Sequence, residues 1–236
     1  MKVWWLGSEK GQGNFGDILT PYILDYFKIN YEYTNHYKDA QVISVGSIAR
    51  RAGVGVKVLG SGIISRNDKL CADADWKFVR GPFTRERVNF FGGECPEVYG
   101  DPALLLPLIV EPSAKKYEVG IVPHNVDYEY AQENYSKNYN IIGLGTRNYK
   151  NVIEKITQCE SIITSSLHGI ICSHAYGIPA AWVKSNTKLK GDNVKFEDYF
   201  ASVDVDGLQS TYDNPKFINP GNIELDKLIN IFKELK

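Results

Sequence analysis

Residues 160–182 read ESIITSSLHGIICSHAYGIPAAW. The short apolar run Ile162-Ile163 ends in the polar Thr164, Ser165 and Ser166, and the chain then enters a segment rich in small residues, Gly169, Ala175 and Gly177. That is the signature of a buried strand feeding a helix that packs closely on its sheet. His168 stands at the junction. In α/β proteins ligands bind at the carboxyl ends of the strands, so an imidazole at this point is a candidate for chemistry.

Outward from this stretch the same pattern recurs. VWWLG, VISVG, VKVLGSGII, KFVRG and PEVYG in the first half, then EVGIVP, IIGLG and AAWVK in the second, are short apolar runs closed by Gly, Pro or polar residues. They read as strands of parallel sheets covered on both faces. Helices are expected at residues 17–28, 82–90, 151–159 and 222–235, with Pro21 near the start of the first, where proline is best tolerated. Residues 106–116 (LPLIVEPSAKK) have the composition of a linker. The fold class expected is α/β, with two Rossmann-like domains, residues 1–110 and 111–236, facing each other across a cleft, and the last helix packing back on the first domain.

Composition narrows the function. With 236 residues, 43% of them hydrophobic, the chain is long enough for a substantial core. A net charge of −1, with both signs mixed along the sequence, supplies no field to hold a nucleic acid backbone. The four cysteines lack CxxC spacing and read as reduced packing residues. The opening MKVWWLGSEK has no signal-peptide core, and no apolar run reaches the roughly 18 to 20 residues that span a bilayer. A cytoplasmic protein is expected.

Four constellations are candidates for a site. Gly11, Gly13 and Gly16 formally match GxGxxG between the first strand and first helix, followed at once by Asp17. Asp17 stands where a helix cap belongs; alternatively Asn14 and Asp17 line the cleft, with Asp17 orienting a sugar hydroxyl or taking its proton. Arg80 ends a strand in VRGPFTRE, where a guanidinium suits a carboxylate or phosphate, the alternative being a salt bridge at the domain edge. Asp101, in YGDPA, reads as a turn residue bonded to nearby backbone. Around His168, Ser165 and Ser166 are candidate ligand hydrogen-bonders. His36, His124 and His174 compete weakly, and His168 with His174 lack the i, i+4 spacing of a helical zinc site. The stretch Phe196-Glu197-Asp198-Tyr199 reads as a solvated helix start.

Taken in order, NFGD, VRGPFTRE, YGDPALLLP, SSLHGIICSHAYGIPA and KFEDYFAS resemble the polysaccharide pyruvyltransferase family across most of the chain. The resemblance implies a fold like that of GT-B glycosyltransferases, with the first domain on the acceptor side. It implies transfer of the three-carbon unit of phosphoenolpyruvate to a sugar of a surface polysaccharide or its lipid-linked precursor, forming a pyruvate ketal, with no cofactor beyond that donor. A lipid-linked acceptor would bring the protein to the inner face of the membrane. His168 matches the histidine of the family's Leu-His motif, and Arg80 an arginine at the donor. Many members carry an arginine directly before the Leu-His pair, where this chain has Ser166, so the donor anion is expected to be held by another cation or bound differently.

The residue types suit that chemistry. Adding a sugar oxygen to the central carbon of an enol phosphate requires protonation of its methylene, and histidine is the commonest acid near neutral pH. The expected roles are His168 as acid, Asp17 activating the acceptor hydroxyl, and Arg80, Asn14, Ser165 and Ser166 binding substrate. Lys184, after the AAWVK strand, is the candidate second cation. A nucleotide-sugar glycosyltransferase and a non-catalytic glycan-binding protein remain as alternatives on the same scaffold.

Overall fold

The computed structural model describes residues 1–7, 13–187 and 189–235. Gly11, the first glycine of the GxGxxG match, lies outside them. The first half builds a sheet from β1 (Lys2–Trp4), β2 (Glu32–Tyr33), β3 (Val42–Ile43), β4 (Lys57–Leu59) and β5 (Asp75–Phe78), in the order β2-β1-β3-β4-β5 and parallel throughout. Two helices belong to it, α1 (Leu19–Tyr26) and α2 (Pro82–Phe90). Pro82 occupies the first helical position of α2, where its missing N–H costs nothing.

The second half builds β6 (Tyr117–Val122), β7 (Asn140–Ile141), β8 (Cys159–Thr164), β9 (Ala180–Trp182) and β10 (Phe217–Ile218), ordered β10-β9-β8-β6-β7. All its pairings are parallel except the edge strand β10. Its helices are α3 (Tyr128–Tyr135), α4 (Tyr149–Thr157), α5 (Leu167–Ala175), α6 (Val194–Ser202) and α7 (Leu225–Lys233). The fold is α/β with two predominantly parallel sheets. The strand-to-helix junction expected at residues 160–182 is β8 followed by α5, which stops at Gly177, in the left-handed region at φ 71°, with the Ile178 N–H returning to the Ser173 carbonyl.

Two expectations are corrected. PEVYG is not a strand among the described residues; it contributes one parallel bridge, Val79 to Tyr99, at the sheet edge, because Pro96 and Gly100 leave too short a run to form a ladder. The segment 106–116 is not an exposed linker from its start. A seven-residue 3-10 helix, Pro102–Leu108, carries Leu104, Leu105 and Leu106 into the interior, and the chain is exposed around Glu111 and Pro112 instead. Those three leucines belong to one apolar cluster that also holds Val3, Leu24 and Phe78 of the first half and Val122, Ile162 and Ile170 of the second.

The carboxy-terminal α7 completes that cluster from the first-half side. Phe232, fully buried, stacks on Phe27 with ring centroids 5.1 Å apart and meets Phe78 edge-on at 6.0 Å. Truncating a buried aromatic removes its transfer energy and leaves a cavity, at a cost of about 3–5 kcal/mol. Phe232→Ala is therefore expected to lower the unfolding free energy by about that amount in urea titrations; a loss below about 1 kcal/mol would contradict the packing described.

Candidate active site

In each sheet the connections leave the central strands in opposite directions, toward β2 and β4 from β1 and β3, and toward β7 and β9 from β6 and β8. Loops following such a pair of neighbouring strands part from each other and leave a crevice. Leu6, Asn14 and Asp17 follow β1, Ser47 follows β3, His124, Asn125 and Val126 follow β6, and Ser166, Leu167 and His168 follow β8. All of them line one cavity of about 440 Å³, together with Leu189, Lys190 and Lys195. Both crevices thus open into the same space.

His168 is held there by its neighbours' shapes. Its ring lies so close to Gly16 that a Cβ on residue 16 would fall 1.8 Å from Nδ1, which explains the glycine of NFGD as a requirement of packing rather than of an anion loop. The first-turn amides of α1 are themselves engaged, Ile18 N–H on the Asn14 carbonyl and Leu19 N–H on that of Gly16. On the ring's other side, Nε2 faces Asp101 Oδ2 at 3.9 Å, beyond hydrogen-bond range. Among the described residues neither atom has a hydrogen-bond partner, and both are buried.

Asp101 does form the turn expected of it, its Oδ1 accepting from the Ala103 N–H at 3.0 Å. Its second oxygen reaches the site as well. Burial, reinforced by Asp17 and Asp198, raises its carboxyl to about 6 against the pull of the Ala103 N–H and Arg80. Burial and the charges of Arg80, Lys195 and His124 push His168 down to about 3, so the imidazole is neutral near pH 7.

Arg80 is fully buried behind this cavity, not in its lining. Its Nε donates to Asp198 Oδ2 at 3.1 Å, Nη1 to Ser47 Oγ at 2.8 Å and Nη2 to the Ile63 carbonyl at 2.7 Å. Asp198 also accepts from the Thr84 N–H and Oγ–H. Most of the guanidinium fork is thus occupied by protein, and Arg80 reaches the cavity through its charge and through Ser47. The expectation of a solvated start for α6 is overturned by the same contacts: Phe196, Asp198 and Tyr199 are buried, since the acidic side chain neutralises a buried arginine.

Asp17 does not cap α1; the residue before the helix is Ile18, and no side chain caps it. Asp17 instead faces the cavity, accepting from Asn14 Nδ2 at 2.8 Å. Burial raises it to about 6, opposed by Asn14 and Lys195. Lys195, in the first turn of α6, is lowered to about 8 by burial and Arg80, with Asp17 opposing. Sequence reasoning chose Lys184 for this duty, but Lys184 is exposed and lines a separate depression with Trp182 and Gln209. The signal that could have found Lys195 is the KFEDYF pattern itself, with Phe196, Tyr199 and Phe200 at the spacing of a buried helix face.

The remaining expected residues divide. Ser166 lines the cavity. Ser165 does not; its hydroxyl donates to Asp127 Oδ2 at 2.6 Å and accepts from the His124 N–H at 2.9 Å, so it fixes the loop after β6. His124 lines the cavity, unforeseen, while His174 is buried between the Tyr199 hydroxyl and the Ile218 carbonyl and His36 accepts from the Lys38 N–H.

Two strand-end crevices thus share one chamber, which holds Lys190 and Lys195 and sets a largely buried imidazole against a carboxylate. The chain belongs to the polysaccharide pyruvyl transferase family, whose model matches residues 9–187. It is 31% identical over 166 residues to uncharacterized protein L143 of Acanthamoeba polyphaga mimivirus, covering 66% of this chain and 58% of that one. It is 28% identical over 215 residues to the succinoglycan biosynthesis protein ExoV of Rhizobium meliloti (strain 1021), covering 84% of this chain and 64% of that one. The chain thus spans about three fifths of the length of these relatives. No solved structure matches it.

Two outcomes test this geometry. Gly16→Ala must expel the His168 ring, so its NMR titration should move up from about 3 toward the ordinary histidine value; an unmoved titration would contradict the contact. Asp101→Asn removes a carboxyl that the folded state holds protonated to about 6. A raised carboxylate pKa stabilises the fold below the unfolded value of 3.8 and loses that contribution as pH rises through 6. The variant should therefore resist urea better than the parent at pH 8, by about 1–3 kcal/mol, and equal it near pH 3.5; equal stability at both values would contradict the assignment.

Proposed function

We propose that the chain transfers the pyruvyl unit of phosphoenolpyruvate to two hydroxyls of a sugar in a surface polysaccharide or its lipid-linked precursor, forming a cyclic ketal in a GT-B-like cleft. The observation that carries this reading is the cavity in which the Leu167-His168 pair meets Asn14, Asp17 and two lysines. Family membership and the likeness to the succinoglycan biosynthesis protein ExoV support the polysaccharide context. Among the described residues no helix is long and apolar enough to cross a membrane; on this reading the protein acts on the cytoplasmic side and meets the membrane through its acceptor.

The donor carries a phosphate and a carboxylate. Lys195, aided by Lys190 and by the amino end of α5, supplies the cation that Ser166 does not. Arg80, engaged with Asp198, adds a fixed positive field behind them rather than a direct contact. The neutral imidazole would gain a proton as the donor enters, because an adjacent anion favours the cation. Asp101 then faces the Nε2 side of that imidazolium and stabilises it.

In the reaction one acceptor oxygen bonds to the central carbon of the enol phosphate while His168 delivers a proton to its methylene, which becomes a methyl. Asp17 takes the hydroxyl proton. The carbon–oxygen bond to phosphate breaks, and a second sugar hydroxyl closes the ketal. Of the two hydroxyl protons, one replaces that donated to carbon and one leaves with inorganic phosphate, so the sum is phosphoenolpyruvate plus diol giving ketal plus phosphate. General acid or base help at each proton transfer contributes about 10² to 10⁴ in rate.

Incubation with phosphoenolpyruvate and a panel of lipid-linked sugars should release phosphate and add the mass of a pyruvyl ketal. His168→Ala should lower that rate at least about 10²-fold without unfolding the chain; full activity in the variant, or turnover of nucleotide sugars in place of phosphoenolpyruvate, would overturn the reading. The affinity for phosphoenolpyruvate should fall on the alkaline side as Lys195 loses its proton through about 8. Lys195→Arg should move the alkaline limb upward, since arginine stays charged; an unmoved limb would remove Lys195 from donor binding.

A further inference from the structure

A second cavity, of about 790 Å³, adjoins the first and shares Asn14, Asn125 and Val126 with it. Its character is different. The first chamber sets two amines, Lys190 and Lys195, and the field of Arg80 against the one carboxylate of Asp17. The second carries one carboxylate, Glu129, against one amine, Lys155, so its walls are close to neutral. The polar groups that remain are mainly carboxamides, Asn14, Asn125 and Asn151, each able to donate and accept at once, as a vicinal pair of sugar hydroxyls demands.

The aromatic element is Tyr128, at the start of α3. It lies close over Gly143, where an added Cβ would sit 2.8 Å from its Cε2, and its hydroxyl is fixed by Gln132 Nε2 at 2.8 Å. The ring is partly exposed to the cavity it lines. An amphipathic ring fixed in place beside carboxamides suits an uncharged pyranose. Glu129, Asn151 and Lys155 are exposed, so the cavity opens to solvent on that side, where the remainder of a glycan chain could continue.

We propose that this second cavity is the acceptor subsite, taking a neutral pyranose of a longer glycan, and that Asn14 and Asn125 at the junction present its hydroxyls to the donor chamber. The inference rests on reading the first cavity as the donor chamber, and it puts most acceptor contacts on the second half of the chain, on the elements that follow β6 and β7, where the family resemblance implies the first. Division of labour by charge gives the order of the site: the anion is confined to the cationic chamber, and the uncharged sugar has no competitor in the neutral one.

The test pairs two ligands with two sets of variants. Saturation-transfer NMR with methyl glucoside, methyl galactoside, methyl mannoside and the corresponding uncharged tetrasaccharides reads the acceptor; calorimetric titration with phosphoenolpyruvate alone reads the donor. Tyr128→Ala, and Asn151→Trp to fill the cavity from an exposed position, should weaken glycan binding at least about tenfold and leave phosphoenolpyruvate affinity unchanged. Lys195→Met should do the reverse. Asn151 serves the α4 cap through its backbone N–H alone, so the tryptophan variant keeps that bond, and far-UV circular dichroism confirms the fold. Glycan binding untouched by both cavity variants, or no binding of any glycan in the panel, would overturn the subsite. Loss of glycan binding in those variants with no phosphoenolpyruvate binding at all would sustain the subsite and sink the donor reading.

Discussion

The buried pair Arg80 and Asp198 is the constraint on which the site depends. Arg80 belongs to the first half and Asp198 to α6 of the second, and neither side chain is exposed. Removing two charges from water costs several kcal/mol each, repaid only when geometry and additional hydrogen bonds satisfy the remaining donors and acceptors. Ser47, Ile63 and Thr84 complete that set. Because the arrangement tolerates little displacement, α6 is seated against the segment after β5, and Lys195, one turn from Asp198, is carried over the cavity with it.

A second constraint is shape at His168. The ring is pressed against Gly16 from the first half while its Nε2 looks at Asp101. Three segments far apart in the chain therefore meet at one imidazole. Burial lowers it, positive groups lower it further, and Asp101 Oδ2 beside it has no hydrogen-bond partner among the described residues. Such unmet polar atoms are uncommon in folded interiors.

The legible parts of this design were the local ones. β8 with α5, and α2 with its leading proline, could be read because period, small residues and capping agree over a short stretch. Ser166 and His168 sit directly after β8, and Asn14 and Asp17 were found in the glycine-rich stretch leading into α1; all four line the cavity. Lys195 was missed, and Lys184 chosen, because strand-end logic ranks a lysine by its neighbours in sequence. The position of Lys195 is set by α6 crossing to Arg80, 118 residues away. Asp101 was half read: its turn is local, but its second oxygen faces a residue of the other half. Arg80 was recognised as special, though its partner proved to be the protein itself.

The apolar cluster joining both sheets, with Phe232 stacked on Phe27 and Leu104 to Leu106 between the halves, bears on how molecules enter. Swinging one half away from the other as a rigid lobe would pull those rings and leucines into water at about 25 cal/mol for each Å² uncovered. Hinge bending on that scale is therefore expensive. Access to the chamber is therefore through its mouth, with both sheets held in place.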